Sequence, residues 1–247
     1  MADPILGQHK IHWEICQQSY KSVRTDIQDW KMIGGTEDSV MYVKKDLCIL
    51  AYRGTQNFQD VWNDLQLTFR SPCGFNKVAP SIQMLKDFFK TNGTDFAVQI
   101  TGHSLGGALA RCVGKELNLN VVTFNAAAPP NGVIQTRPLP EEVNYHIVCD
   151  LISAWQMPNC VRIDKGFRPS VPPINIKGLT TTVKSGMFLY SLQQMFSKAH
   201  GLASFSSAVP GRLMSGAQES ILMDAWIAKF PPTATALLIP ANRNTIY

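Results

Sequence analysis

The sequence predicts an α/β fold in which a mostly parallel central sheet is flanked by helices. Three observations carry that expectation. Apolar strand-like runs at 39–43, 47–52, 96–100, 121–124 and 144–150 are separated by stretches of helical spacing, such as 81–90. A strand-like run from Phe96 to Ile100 enters a tight Gly102-x-Ser104-x-Gly106 turn and leaves it as an Ala/Leu-rich helix. The 247 residues, 45% hydrophobic and 17% charged, suffice for one large domain with a substantial core.

The central turn has a physical logic of its own. A serine on so sharp a bend takes a strained backbone conformation, and side chains two residues away on either side would collide with neighbouring chain. Glycine at 102 and 106 removes those Cβ atoms. Gly107 lets the following helix approach the sheet, and the Leu105 N–H falls at the helix N-terminus, where backbone donors favour an anion. Strand, turn and helix together form the setting of a nucleophile elbow, with Ser104 at its tip.

The segment Ile100-Thr-Gly-His-Ser-Leu-Gly-Gly-Ala-Leu-Ala110 resembles the elbow of the class 3 lipases. That family is typified by secreted fungal triacylglycerol lipases. The likeness extends from about residue 36 to about 205 and is dense near 47–65, 96–130 and 144–151. It implies an α/β-hydrolase fold and a serine ester hydrolase acting on an acyl ester or lipid, without a cofactor or metal.

Taken in order, residues 9–30 carry apolar positions at roughly helical spacing (Ile11, Ile15, Tyr20, Val23, Ile27). They predict one or two helices ended by Gly34-Gly35. Two strands follow, Ser39–Val43 and Leu47–Tyr52, joined by the polar turn Lys44-Lys45-Asp46. Arg53-Gly54-Thr55 comes next. The resemblance implies that the Thr55 N–H, with that of Leu105, holds the negative oxygen of a reacting carbonyl. Phe58, Val61, Trp62 and Leu65 form one apolar stripe, which fits either a moving lid or a fixed core helix. Residues 71–75 read as a loop in which Cys73 precedes Gly74-Phe75, where the family commonly has a His. An amphipathic helix over 81–90 ends at Asn92-Gly93, and Asn125–Pro130 after the strand 121–124 lines the site.

Serine needs a base, and the base needs a third group to fix its tautomer. In α/β-hydrolases these follow in the order serine, acid, histidine. Asp150 closes the strand 144–150 and matches the family's acid, although Leu-Ile-Ser replaces the usual x-Val-Pro after it. Asp164 is the alternative acid. His200 is the one histidine after Asp150, and with Leu202 and Phe205 it resembles the family's catalytic-His segment. Among the others, His103 is interior to the elbow and expected to pack, while His146 lies mid-strand.

A net charge of +5, spread without a basic block, argues against nucleic acid and leaves contact with a lipid surface open. The six cysteines include no C-x-x-C pair. With no secretory signal and no run of 18 apolar residues, an intracellular setting is expected. The expected organisation is one domain over 1–247: N-terminal helices (1–35), a lipase-like core (36–205) and an extension (206–247). That extension holds a helix near 215–230 and an apolar tail suited to self-packing, a second copy or membrane. A catalytically silent hydrolase-shaped binding protein is the competing expectation.

Overall fold

The computed structural model describes residues 2–55, 75–93, 95–127, 139–148, 150, 153, 159–167, 199–208 and 210–227. A 3-10 turn, Pro4–His9, leads into helix α1, Lys10–Ser19. Strands β1 (Lys31–Gly35), β2 (Ser39–Lys44) and β3 (Leu47–Tyr52) follow. Next come helix α2 (Phe75–Asn92), strand β4 (Ala97–His103), helix α3 (Leu105–Leu117) and strand β5 (Asn120–Phe124). The remaining elements are β6 (Glu142–Ile147), β7 (Cys160–Asp164), a 3-10 turn at Leu202–Phe205, β8 (Arg212–Met214) and helix α4 (Gly216–Ile227).

The strands lie in sequence order in one sheet. β1, β2 and β3 pair antiparallel, β3 to β7 run parallel, and β8 closes the edge antiparallel to β7. This mixed, mostly parallel sheet with a strand–turn–helix at its centre is the α/β-hydrolase fold. Parallel strands covered on both faces read as unbroken apolar runs, and Cys48 to Tyr52 is buried at every position. The period of two still sorts the side chains. Val40, Tyr42, Ile49 and Ala51 face α1 (Trp13, Ile15, Cys16). Met41, Cys48 and Leu50 face α2 and α3 (Val78, Leu85, Leu109, Val113). Each fully buried Leu or Ile here contributes about 1.5–3 kcal/mol of transfer free energy.

Several boundaries differ from the sequence expectation, among them that of β6, which ends at Ile147 and leaves Asp150 three residues beyond the strand it was expected to close. Helix α1 ends at Ser19, and Gly34-Gly35 lies inside β1 instead of ending a helix. Its glycines answer to packing: a Cβ on Gly34 would meet Met84 Sδ at 2.7 Å, and one on Gly35 would meet Arg24 Nη1 at 2.5 Å. Helix α2 begins at Phe75, within the expected loop, and runs through Pro80. Pro80 lies past the first turn, where its ring removes one backbone hydrogen bond and crowds the carbonyl four residues earlier, yet the helix continues to Asn92. Cys16, Cys48 and Cys112 are buried. No helix among the described residues is long and apolar enough to cross a membrane. Phe58, Val61, Trp62 and Leu65, and the tail beyond Ile227, lie outside the described residues.

Candidate active site

Ser104 stands between β4 and α3 with φ 58° and ψ −127°, the strained turn expected for it. The crowding is quantitative. A Cβ on Gly102 would lie 2.2 Å from the Gly106 carbonyl oxygen, and one on Gly106 would lie 2.3 Å from the Tyr52 carbonyl oxygen. Neither position admits a side chain without moving backbone. The Ser104 N–H donates to Phe124 O at 3.2 Å, and the Ala127 N–H donates back to Ser104 O at 2.9 Å, so the end of β5 holds the bend from both sides.

Three side chains meet at that bend. The Ser104 hydroxyl lies 2.7 Å from His200 Nε2. His200 Nδ1 lies 3.0 and 2.9 Å from the two carboxylate oxygens of Asp150. The carboxylate accepts, so Nδ1 carries the proton, and Nε2 is left to accept from the serine. All three are buried. Burial by itself would push the Asp150 carboxyl up; its electrostatic attraction to and hydrogen bond with His200, with His146 and the Ser153 hydroxyl, outweigh it and hold the group below its ordinary value. Ser153 Oγ donates to Asp150 Oδ2 at 2.6 Å. Asp164 is engaged elsewhere, accepting from Gly166 N at 2.8 Å and Arg212 Nε at 3.0 Å.

The backbone of His200 is held as firmly as its ring. Its carbonyl accepts from Asn125 Nδ2 at 2.9 Å and from His103 Nε2 at 2.7 Å. Asn125 Oδ1 also accepts from the Ile147 N–H, tying β6 to the same point. A carbonyl can only accept, so His103 carries its proton on Nε2, and its Nδ1 accepts from Tyr20 OH at 2.7 Å. Tyr20 OH in turn accepts from the Gly54 N–H at 2.9 Å. Burial, followed by the nearby His200, pushes His103 down to about 3, so its ring is neutral. Residue 54 precedes Thr55, so this chain links the base to the strand end expected to hold the second oxyanion donor.

A cavity of about 500 Å³ opens beside these groups, lined by Gln17, Tyr20, Lys21, Thr55, His103, His200, Gly201 and Leu202. Leu105 is the first residue of α3, where N–H groups have no acceptor within the helix. The structure therefore brings Ser104, Leu105, Asp150 and His200 together, with Thr55 in the wall of the adjoining cavity. Tyr20, Asn125 and Ser153 carry no motif and were missed as site residues; Asn125 had a local signal in the loop expected to line the site, and Ser153 in the break from the family's pattern after Asp150. Among the described residues, no group of three or more His, Cys, Asp or Glu side chains is placed to hold a metal ion.

Comparison with known proteins follows the same outline. The family described as Phospholipase-like, Tle-like phospholipase domain, matches residues 9–161 of the 247. Solved structures similar to this chain include a lipase from Rhizopus microsporus var. chinensis (18% identity, TM-score 0.46, 62% of this chain and 72% of that one). A triacylglycerol lipase from Penicillium expansum is another (14% identity, TM-score 0.47, 66% and 80%). A third is Rhizomucor miehei lipase in complex with its propeptide (15% identity, TM-score 0.45, 63% and 67%). No curated protein sequence matches the chain significantly.

Proposed function

The chain belongs to the Tle-like phospholipase domain family, and from that premise we propose that it hydrolyses carboxylic esters of acyl lipids with Ser104 as nucleophile. The observation that carries this reading is the unbroken hydrogen-bonded chain from Ser104 Oγ through His200 to Asp150. Ser104 Oγ attacks the ester carbonyl carbon while its proton passes to His200 Nε2. Asp150 stabilises the resulting imidazolium and keeps its ring oriented. Charge builds on the carbonyl oxygen, toward which the Leu105 and Thr55 N–H groups would donate; two preorganised donors stabilise it only as attack proceeds. The intermediate collapses as the alcohol leaves with the proton from Nε2, giving an acyl-serine. Water, deprotonated by the same nitrogen, then releases the acid and restores the serine.

The substrate class has its own support. A second cavity, of about 540 Å³, shares Tyr20 and Lys21 with the first and is further lined by Arg24, by Glu37 and by Arg53, whose guanidinium is already paired with Asp38 at 3.4 Å and Glu37 at 3.8 Å, so that Lys21 and Arg24 carry the wall's positive charge. Arg24 is held by backbone carbonyls, among them Thr36 O at 2.7 Å and Ser39 O at 2.8 Å, which leave its charge uncancelled. A phosphodiester headgroup supplies the anion such a wall would take, and a triacylglycerol does not.

Initial rates on p-nitrophenyl esters, a phosphatidylcholine dispersion and a triacylglycerol emulsion test both parts. Ester hydrolysis that vanishes in Ser104→Ala supports the serine mechanism, and no hydrolysis by the parent protein leaves a silent scaffold. Lys21→Ala should slow phospholipid cleavage while sparing the p-nitrophenyl esters. Equal loss on both overturns the headgroup assignment.

A further inference from the structure

Behind Asp150 the hydrogen bonds do not stop. Ser153 Oγ, having given its one proton to Asp150, lies 2.6 Å from His146 Nδ1 and must accept from it. His146 Nε2 meets Glu219 Oε1, and Glu219 Oε2 accepts from Arg162 Nε at 2.9 Å. A carboxylate accepting from Arg162 is ionised, so it accepts from His146 as well. Both ring nitrogens of His146 therefore donate, which describes an imidazolium. Charge alternates along the line: Asp150 negative, His146 positive, Glu219 negative, Arg162 positive, with the Ser153 hydroxyl as the one neutral link.

Each member has a reason to be there. His146 and Arg162 are register partners on the parallel strands β6 and β7. Glu219 sits in the first turn of α4, whose N-terminus is capped by Ser215: the Gln218 N–H donates to Ser215 Oγ at 3.2 Å. Ser153 occupies the position where the lipases that the chain resembles carry proline, so the departure from their pattern supplies the hydroxyl. Ser153, His146 and Glu219 also spell a nucleophile, base and acid. All three are buried, however, neither of the two cavities described above is lined by any of them, and the serine's proton is committed to Asp150.

We propose that Ser153, His146 and Glu219 are positioning residues that lock the Asp150 carboxylate, ionised and in one rotamer, behind His200. The inference rests on the serine mechanism above and extends it past residue 161, where the family match stops, to a helix near the C-terminal end. Asp150 is 1% exposed, and a buried carboxylate without such donors drifts toward its protonated form. A protonated or rotated Asp150 would no longer hold the His200 ring for attack.

Two variants of the full chain test this, Ser153→Ala and Glu219→Gln, with kcat and KM on a soluble p-nitrophenyl ester and ¹⁵N NMR of the histidine rings at pH 7. Losing one hydrogen bond to a buried charge should lower kcat about 10-fold or more while KM stays within about two-fold. Both ring nitrogens of His146 should carry protons in the parent protein, and Glu219→Gln should remove one. Far-UV circular dichroism and a retained unfolding midpoint for Ser153→Ala exclude loss of fold as the cause. Unchanged kcat in both folded variants overturns the proposal, as does a singly protonated His146 in the parent. Should the parent show no esterase activity, the serine mechanism fails on its own and the NMR result alone decides the network.

Discussion

Two buried histidines lie on either side of the His200–Asp150 pair, and the chain treats them oppositely. His103, on the elbow side, sits between a tyrosine hydroxyl and a backbone carbonyl and is neutral, pushed down to about 3 mainly by burial. His146, on the acid side, sits between a serine hydroxyl and the carboxylate of Glu219. Burial is nearly equal, 5% exposed against 2%. What differs is the partner. A dipole on each side leaves a desolvated imidazole uncharged, whereas a serine oxygen whose proton is committed to Asp150 and an ionised carboxylate both accept from His146. The neutral flank therefore fixes backbone, and the charged flank fixes the charge of Asp150.

Removing the centre that both flanks serve should have the largest effect. Ser104→Ala is expected to lower ester turnover by ~10⁴-fold or more, with His200→Ala nearly as severe and the double variant little worse, because residues acting as one unit are not additive. Steady-state rates on a p-nitrophenyl ester measure this; a His200→Ala protein that keeps most activity would break the assignment of the base. Asp150→Asn keeps the shape but offers the wrong hydrogen-bond sense to His200 Nδ1. It should cost ~10⁴-fold in kcat, and a loss below about tenfold would point to another acid.

The elbow itself was legible because its determinants are local. Gly102, Ser104 and Gly106 span five residues, and the clashes that demand glycine arise within that turn and with the adjacent strand β3. His200 was reachable because one histidine follows Asp150, and the structure brings it to the predicted serine. Neither flank could be read the same way. Tyr20 and His103 are 83 residues apart, and His146 and Glu219 are 73 apart, so nothing in their local sequence marks the pairing. Gly34-Gly35 misled for a related reason: glycine that ends a helix and glycine that makes room for Met84 look alike without the neighbour. The apolar stripe Phe58 to Leu65 stands as the sequence left it, a lid or a fixed helix.

Weaker perturbations separate the flanks. Tyr20→Phe deprives the Gly54 N–H of its acceptor and His103 Nδ1 of its donor. It should cost about 1–3 kcal/mol of stability by urea unfolding, with a fall in kcat smaller than that of Glu219→Gln. A larger fall would reverse the roles given to the two sides.

The last effect is one of slope. The folded-state pKa of His103 is depressed from 6.5 to about 3. Below pH 6.5 the unfolded chain therefore binds a proton that the folded chain refuses. The stability is complete above pH 6.5 and declines as pH falls toward 3, by about 1.4 kcal/mol per pH unit. Comparing urea unfolding of the parent with His103→Gln between pH 6.5 and 4 should show the variant's pH slope reduced by about that amount. Equal slopes would mean that His103 is already charged when folded.

The central claim, that Ser104 is a hydroxyl made nucleophilic by His200, is tested most directly by mapping the residue that a fluorophosphonate modifies. Peptide mass spectrometry should find the adduct on Ser104 in the parent protein, a far slower adduct at the same residue in His200→Ala, and none there in Ser104→Ala. An adduct on a different serine, or an unmodified parent under conditions that label a known serine hydrolase, would contradict the account.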